Sequence, residues 1–103
     1  MKLVTYDQLA DVDIDAAINH DESTAAPSVV ARFINQLDKT TTIIGRSPRL
    51  GSPMLAELVD LEGLRYRTVT GFPHAVFYRE LASEVRVIRV LHHGQDVLGL
   101  MGA

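Results

Sequence analysis

No cysteine occurs among the 103 residues, which excludes disulfides and thiolate chemistry and suits a reducing cytoplasm. No apolar run approaches the roughly 18 residues of a membrane span. The N-terminus lacks a basic stretch followed by a long apolar core, so neither a signal peptide nor a membrane contact is expected. Lysine is confined to Lys2 and Lys39. A Gly-rich phosphate loop, a nucleophile elbow and a paired-carboxylate arrangement are all missing, so the usual nucleotide-binding and hydrolytic designs have no anchor here and no cofactor is expected. There is no internal repeat and no low-complexity segment.

What is present reads as one domain spanning residues 1–103, because a chain of this size buries roughly 60–70% of its unfolded surface around one core. Hydrophobic residues are 47% and charged residues 22% of the chain, ordinary values that argue against disorder. The net charge of −3 hides an asymmetry. Residues 1–62 hold ten acids and five bases, whereas residues 63–103 hold Arg65, Arg67, Arg79, Arg86 and Arg89 against Glu80, Glu84 and Asp96. An acidic half and a basic half can place a positive patch on one surface, suited to an acidic partner; the alternative is five solvated arginines on exposed strand faces.

Along the chain, Lys2–Tyr6 alternates and is β-prone, predicting an opening strand. Asp7 is a plausible N-cap for a helix from Gln8 to about Asn19, with Leu9, Val12 and Ala16 beside Ala10, Ile14, Ala17 and Ile18 as its apolar face. Asp11, Asp13 and Asp15 lie at alternate positions, but no Gly at the turn and no closing Glu follow, so a solvated helix face is expected rather than a calcium loop. His20–Thr24 is polar and breaks the pattern. Pro27 suits a first helical turn. Val30, Phe33, Ile34, Leu37, Thr41 and Ile44 then predict a second helix ending near Gly45. Arg46–Pro53 is a loop, and Met54–Glu62 is ambiguous between a helical turn and a strand entry. Gly63–Arg79 concentrates four aromatics and three arginines and predicts two strands joined at Gly71–Pro73. One of its faces bears the arginines Arg65 and Arg67. Glu84–Leu91 is apolar on both faces, as a central strand would be, and Val97–Ala103 is an apolar tail. The fold class is therefore α+β: an N-terminal strand, a helical hairpin, then a three-stranded antiparallel sheet.

That order, carried by Ala31-Arg32-Phe33, Pro48-Arg49-Leu50-Gly51, Gly63-Leu64-Arg65, Phe77-Tyr78-Arg79, Arg89-Val90-Leu91-His92 and Gln95-Asp96, resembles the ParE/RelE superfamily of bacterial type II toxins over almost the whole chain. The resemblance implies a small cytoplasmic toxin held inactive by a cognate antitoxin, of ribbon-helix-helix type, in a hetero-oligomer whose antitoxin lies over apolar grooves at the helical hairpin and the sheet edge. RelE-like members cleave messenger RNA on the ribosome. The strand-entry lysines of that branch have no match here, and no Tyr follows the last strand. The ending Leu91-His92-His93-Gly94-Gln95-Asp96 looks more like the ParE branch, whose studied members inhibit DNA gyrase by binding. Two alternatives stay open: a ribosome-dependent ribonuclease, and a member that keeps antitoxin binding without toxicity.

The candidate residues for binding a target are Arg65, Arg67, Tyr78, Arg79, Arg89, His92 and His93; if the chain were a ribonuclease, Arg65, Arg67, Arg79 and His92 would carry catalysis. Arg65 and Arg89 could equally pair with Glu62, Glu80, Glu84 or Asp96. Phe77 and Tyr78 are adjacent, so one is expected in the core and the other on the sheet surface. His92 and His93 are adjacent in a strand, point to opposite faces and do not chelate one metal ion; hydrogen bonding to Asp96 or capping of the strand end is the expected role.

Overall fold

The computed structural model describes residues 1–24 and 26–102. Ala25, in the expected turn between the helices, and Ala103, the end of the expected apolar tail, lie outside the described residues. Strand β1 (Leu3–Tyr6) leads into helices α1 (Gln8–Thr24) and α2 (Pro27–Arg46) and a 3-10 turn at Pro48–Leu50. Strands β2 (Leu64–Thr68), β3 (His74–Glu80) and β4 (Glu84–His92) follow, then the short helix α3 (Val97–Leu100). The sheet order is β1-β4-β3-β2. β2, β3 and β4 form the expected antiparallel meander, and β1 joins it as a fourth strand, parallel to β4. This is the α+β architecture read from the sequence, with β4 as an interior strand.

Helix α2 forms where Pro27 pre-sets the first turn and Val30, Phe33, Leu37, Thr41 and Ile44 recur on one buried face. The hydroxyls of Thr40 and Thr41 bond back to the carbonyls of Gln36 and Asp38, so burial leaves neither unsatisfied. Two expectations for α1 are corrected. The polar His20–Thr24 stretch does not end the helix, which runs to Thr24. Leu9 and Val12 do not belong to the buried face: they are 56% and 55% exposed, and the packed side consists of Ala10, Ile14, Ala17 and Ile18. Residues 54–62 form turns rather than a helix or strand, with Val59 buried beneath them. Gly71 has a φ of 80°, which allows the β2–β3 reversal at the expected place.

Each face of the sheet has a core. On one face Phe33, Leu37 and Ile44 of α2 meet Val76, Tyr78, Val85, Val87 and Val90. On the other, Leu64, Phe77 and Leu91 are covered by Val59, Leu61, Val97 and Met101 from the 54–62 segment and the C-terminal residues. Among the described residues no helix is long and apolar enough to cross a membrane.

The two layers are pinned by a clamp at α1. Between Phe77 and Tyr78 the β3–β4 register slips: Phe77 faces Arg89 and Tyr78 faces Val87, leaving Ile88 as a bulge. Bulges re-aim side chains, and Arg89 here turns to Asp13 of α1. Its Nε and Nη2 donate to Asp13 Oδ2 and Oδ1 at 2.7 and 2.9 Å, and its Nη1 donates to the Leu100 carbonyl at 3.0 Å. The Val90 N–H also donates to Asp13 Oδ2 at 3.0 Å. Asp13 is thus not part of a solvated helix face; both its carboxylate oxygens are occupied.

β1 is held to the sheet by carboxylates. Lys2 Nζ pairs with Glu80 at 2.9 Å, and the Thr5 hydroxyl donates to Glu84, which also pairs with Arg86 at 2.7 Å. The hydrogen bond from Lys2 holds the Glu80 carboxyl below its ordinary value, and that from Thr5 does the same for Glu84. A depressed folded value means that the stabilisation is complete above the ordinary carboxylate range and is lost as the pH falls through the lower folded value. The urea midpoint is therefore expected to be flat from about pH 7 to about pH 5 and to fall below that. In Glu84→Gln the acid-side fall should be shallower; an identical profile would show that Glu84 carries none of it.

Candidate functional site

The seven candidate residues do not come together in one cluster. Tyr78 is 1% exposed. Its hydroxyl donates to the Pro48 carbonyl at 2.6 Å and accepts from the Gly51 N–H at 3.0 Å, and burial pushes it above its ordinary pKa. A Cβ at Gly51 would overlap that hydroxyl, so glycine is what lets the loop close on the sheet. Phe77 is 3% exposed, and the expectation of one core and one surface aromatic is corrected: a sheet covered on both faces buries both.

Arg65 and Arg67 lie opposite Tyr78 and Val76 in the β2–β3 register and so share the face that α2 covers. Arg65 Nη1 donates to the Gly51 carbonyl at 2.7 Å, rather than to any of the acids expected for it. Arg67 is half-buried and makes no hydrogen bond or ion pair among the described residues. Arg79 lies opposite Leu64, on the other face, and its Nε donates to the Glu62 carbonyl at 3.0 Å. A strand of alternating faces separates Arg79 from Arg65 and Arg67. Arg89 belongs to the clamp: its side chain is 11% exposed, and its hydrogen bond to the Asp13 carboxylate raises its pKa above the ordinary value. Its partner is Asp13, not Glu62, Glu80, Glu84 or Asp96.

At the far end of β4 the two histidines behave differently from adjacent strand residues. β4 ends at His92 and the chain turns, with the His93 N–H on the Pro73 carbonyl at 2.8 Å. The rings then stack, with centroids 4.8 Å apart and planes at 15°. His92 also meets His74 edge-on at 5.1 Å, and His74 packs on Phe33 at 4.8 Å. The partners of His92 are Gly94, whose N–H donates to Nδ1 at 2.8 Å, and Gln95, whose Oε1 accepts from the His92 N–H at 2.7 Å. Asp96 instead caps α3 through the Gly99 N–H at 3.1 Å. Among the described residues no group of three or more histidines and acids could hold a metal ion.

Two depressions are lined largely by apolar side chains. One, of about 400 Å³, lies on the face away from α2, between Tyr66, Phe72, Phe77, Leu91, Val97 and Leu98. The other, of about 480 Å³, lies beside α2, where Tyr6, Ala31, Ile34, Leu37 and Thr41 sit beside Asp38. Sequence reasoning placed Ile34 in the core; it is 46% exposed and lines this second groove with Tyr6. It also missed Asp13, although its position beside Ala10, Ile14 and Ala17 on one helical face was a readable signal.

The family described as ParE toxin of type II toxin-antitoxin system, parDE, matches residues 4–97. Among solved structures the chain is similar to one from the chromosomal ParDE TA system of P. aeruginosa, with a TM-score of 0.73 at 17% identity, covering 89% of this chain and 96% of that one. At that identity the likeness shows the fold. No curated protein matches.

The Tyr78 hydroxyl is expected to carry part of the fold rather than any chemistry. Tyr78→Phe leaves the buried Gly51 N–H without its acceptor, which should lower the unfolding free energy by about 1–3 kcal/mol in urea titrations. A variant as stable as the parent would show that the 48–51 loop does not depend on it.

Proposed function

The chain belongs to the ParE toxin family of type II toxin–antitoxin systems, and from that premise we propose that it inhibits DNA gyrase by binding and is neutralised by a cognate antitoxin. One observation carries the preference for binding over cleavage: the basic side chains are dispersed. Arg89 is committed to Asp13, Arg65 and Arg79 each donate to a backbone carbonyl on opposite faces of the sheet, and Tyr78 is buried. Phosphodiester cleavage needs an acid, a base and phosphate-binding cations converging on one bond. Dispersed cations suit recognition of an acidic surface, and Arg67 is the one we assign to the target, with Arg65 beside it.

For the antitoxin the groove beside α2 fits best. Tyr6 and Ile34 expose apolar surface there, and Asp38 adds a negative charge to its lining. A segment that presents apolar side chains at helical spacing and basic residues at its edges matches that groove, and a ribbon-helix-helix antitoxin with such a C-terminal segment would assemble with the toxin as a hetero-oligomer. The pair would act in the cytoplasm, where gyrase is. The second reading, ribosome-dependent cleavage of messenger RNA, is favoured by one observation: His92 lies on the same face of the sheet as Arg65 and Arg67.

The two readings separate in a pair of assays on the purified chain. Supercoiling by purified gyrase should be inhibited, and a cell-free translation reaction should run at its normal rate with intact message. Cleaved message with untouched supercoiling would overturn the gyrase reading in favour of the ribonuclease. Activity in neither assay would favour a member that keeps only antitoxin binding.

A further inference from the structure

All four histidines of the chain gather at one end of the molecule. His20, His74 and His92 line a single cavity of about 440 Å³ between α1 and the end of the β3–β4 hairpin, and His93 stacks on His92. Ala16, Ala17 and Gly94 line the same cavity, so small residues leave the space open.

Two side chains in the lining of this cavity, His92 and Gln95, offer donors. The Gly94 N–H donates to His92 Nδ1, so the neutral ring carries its proton on Nε2 and is a donor there. Gln95 Oε1 accepts from the His92 N–H, which fixes the amide and leaves its NH2 as the unspent end. Among the described residues the carboxylate in the lining is Asp13, and both its oxygens are engaged by Arg89 and the Val90 N–H. Its negative charge is therefore balanced, and its lone pairs are turned toward β4. A cavity that offers these two donors, and whose one carboxylate among the described residues is engaged, is matched to an acceptor ligand bearing negative charge.

We propose that this cavity binds a small oxyanion, a carboxylate or a phosphate, with the His92 ring and the Gln95 amide as its donors. The ionisable groups facing it are Asp13 and His20 from α1, His74 from β3 and His92 from β4, with Arg89 behind Asp13 and His93 stacked on the outer side of His92. The site is separate from the Arg67 surface and from the groove beside α2, so it does not depend on the gyrase reading.

The test is a titration of the isotopically labelled chain followed by NMR of the histidine rings and side-chain amides, with inorganic phosphate in one arm and acetate in the other. Saturable shifts at His92 and at the Gln95 amide are expected. Saturation by phosphate alone assigns a phosphate ligand, and saturation by acetate assigns a carboxylate. Gln95→Glu keeps an oxygen to accept the His92 N–H but replaces the donor with negative charge, and should weaken binding by about tenfold or more. The proposal is overturned if neither anion gives saturable shifts, or if Gln95→Glu binds as tightly as the parent while its backbone spectrum shows it folded.

Discussion

The Asp13 carboxylate is the point on which the two layers of this molecule depend. β1 is four residues long and pairs with only the first part of the nine-residue β4. Beyond Val87 the outer edge of β4 would present unpaired backbone N–H groups beneath a helix, where each would cost free energy comparable to a lost hydrogen bond. Asp13 takes the Val90 N–H, and Gln95 takes that of His92. The Ile88 bulge then turns Arg89 toward the same carboxylate, so that one side chain of α1 closes the edge and anchors the helix. The geometry is bidentate and both side chains are about nine-tenths buried, the circumstances in which loss of one partner is most costly.

That clamp also decides what the basic half of the chain can do. Of five arginines after residue 63, Arg89 is bound into the fold, Arg86 pairs with Glu84, and Arg65 and Arg79 hold loop carbonyls. Arg67 remains the cation with no hydrogen bond or ion pair among the described residues. The acidic half divides similarly: Asp13 works inside, Asp7 lies 3.7 Å from Arg86, and Asp38 lines the groove beside α2.

Much of the fold was legible. The three-to-four spacing in α2, the Gly71 reversal and the doubly apolar β4 are local signals, and each predicted its element within a few residues. α1 was read less well because nearly every position is apolar or acidic, so Leu9 and Val12 counted toward the same face as Ile14. The pairing of Arg89 was not legible, because it depends on a bulge that shifts β4 by one residue after Val87, and a bulge leaves no mark in an apolar strand of this composition. The same is true of Tyr78: alternation says that it faces away from Phe77, but not that the opposite face is also covered. Strand-end geometry misled for His92 and His93, since the rule of opposite faces stops applying once the chain turns at Pro73 and His93.

If Arg67 contacts the target while Arg89 holds the fold, the two arginines must respond differently to replacement. The direct measurement is equilibrium binding of purified gyrase to the parent, Arg67→Ala and Arg89→Lys chains, with thermal melts of each alongside. Arg67→Ala should weaken binding by about tenfold with its melt unchanged, the loss of one charge-assisted contact. Arg89→Lys cannot keep both hydrogen bonds to Asp13 in the bidentate geometry; it should melt earlier, yet bind as the parent does at temperatures where it is folded. Full binding by Arg67→Ala, together with lost binding by a folded Arg89→Lys, would contradict this division of roles.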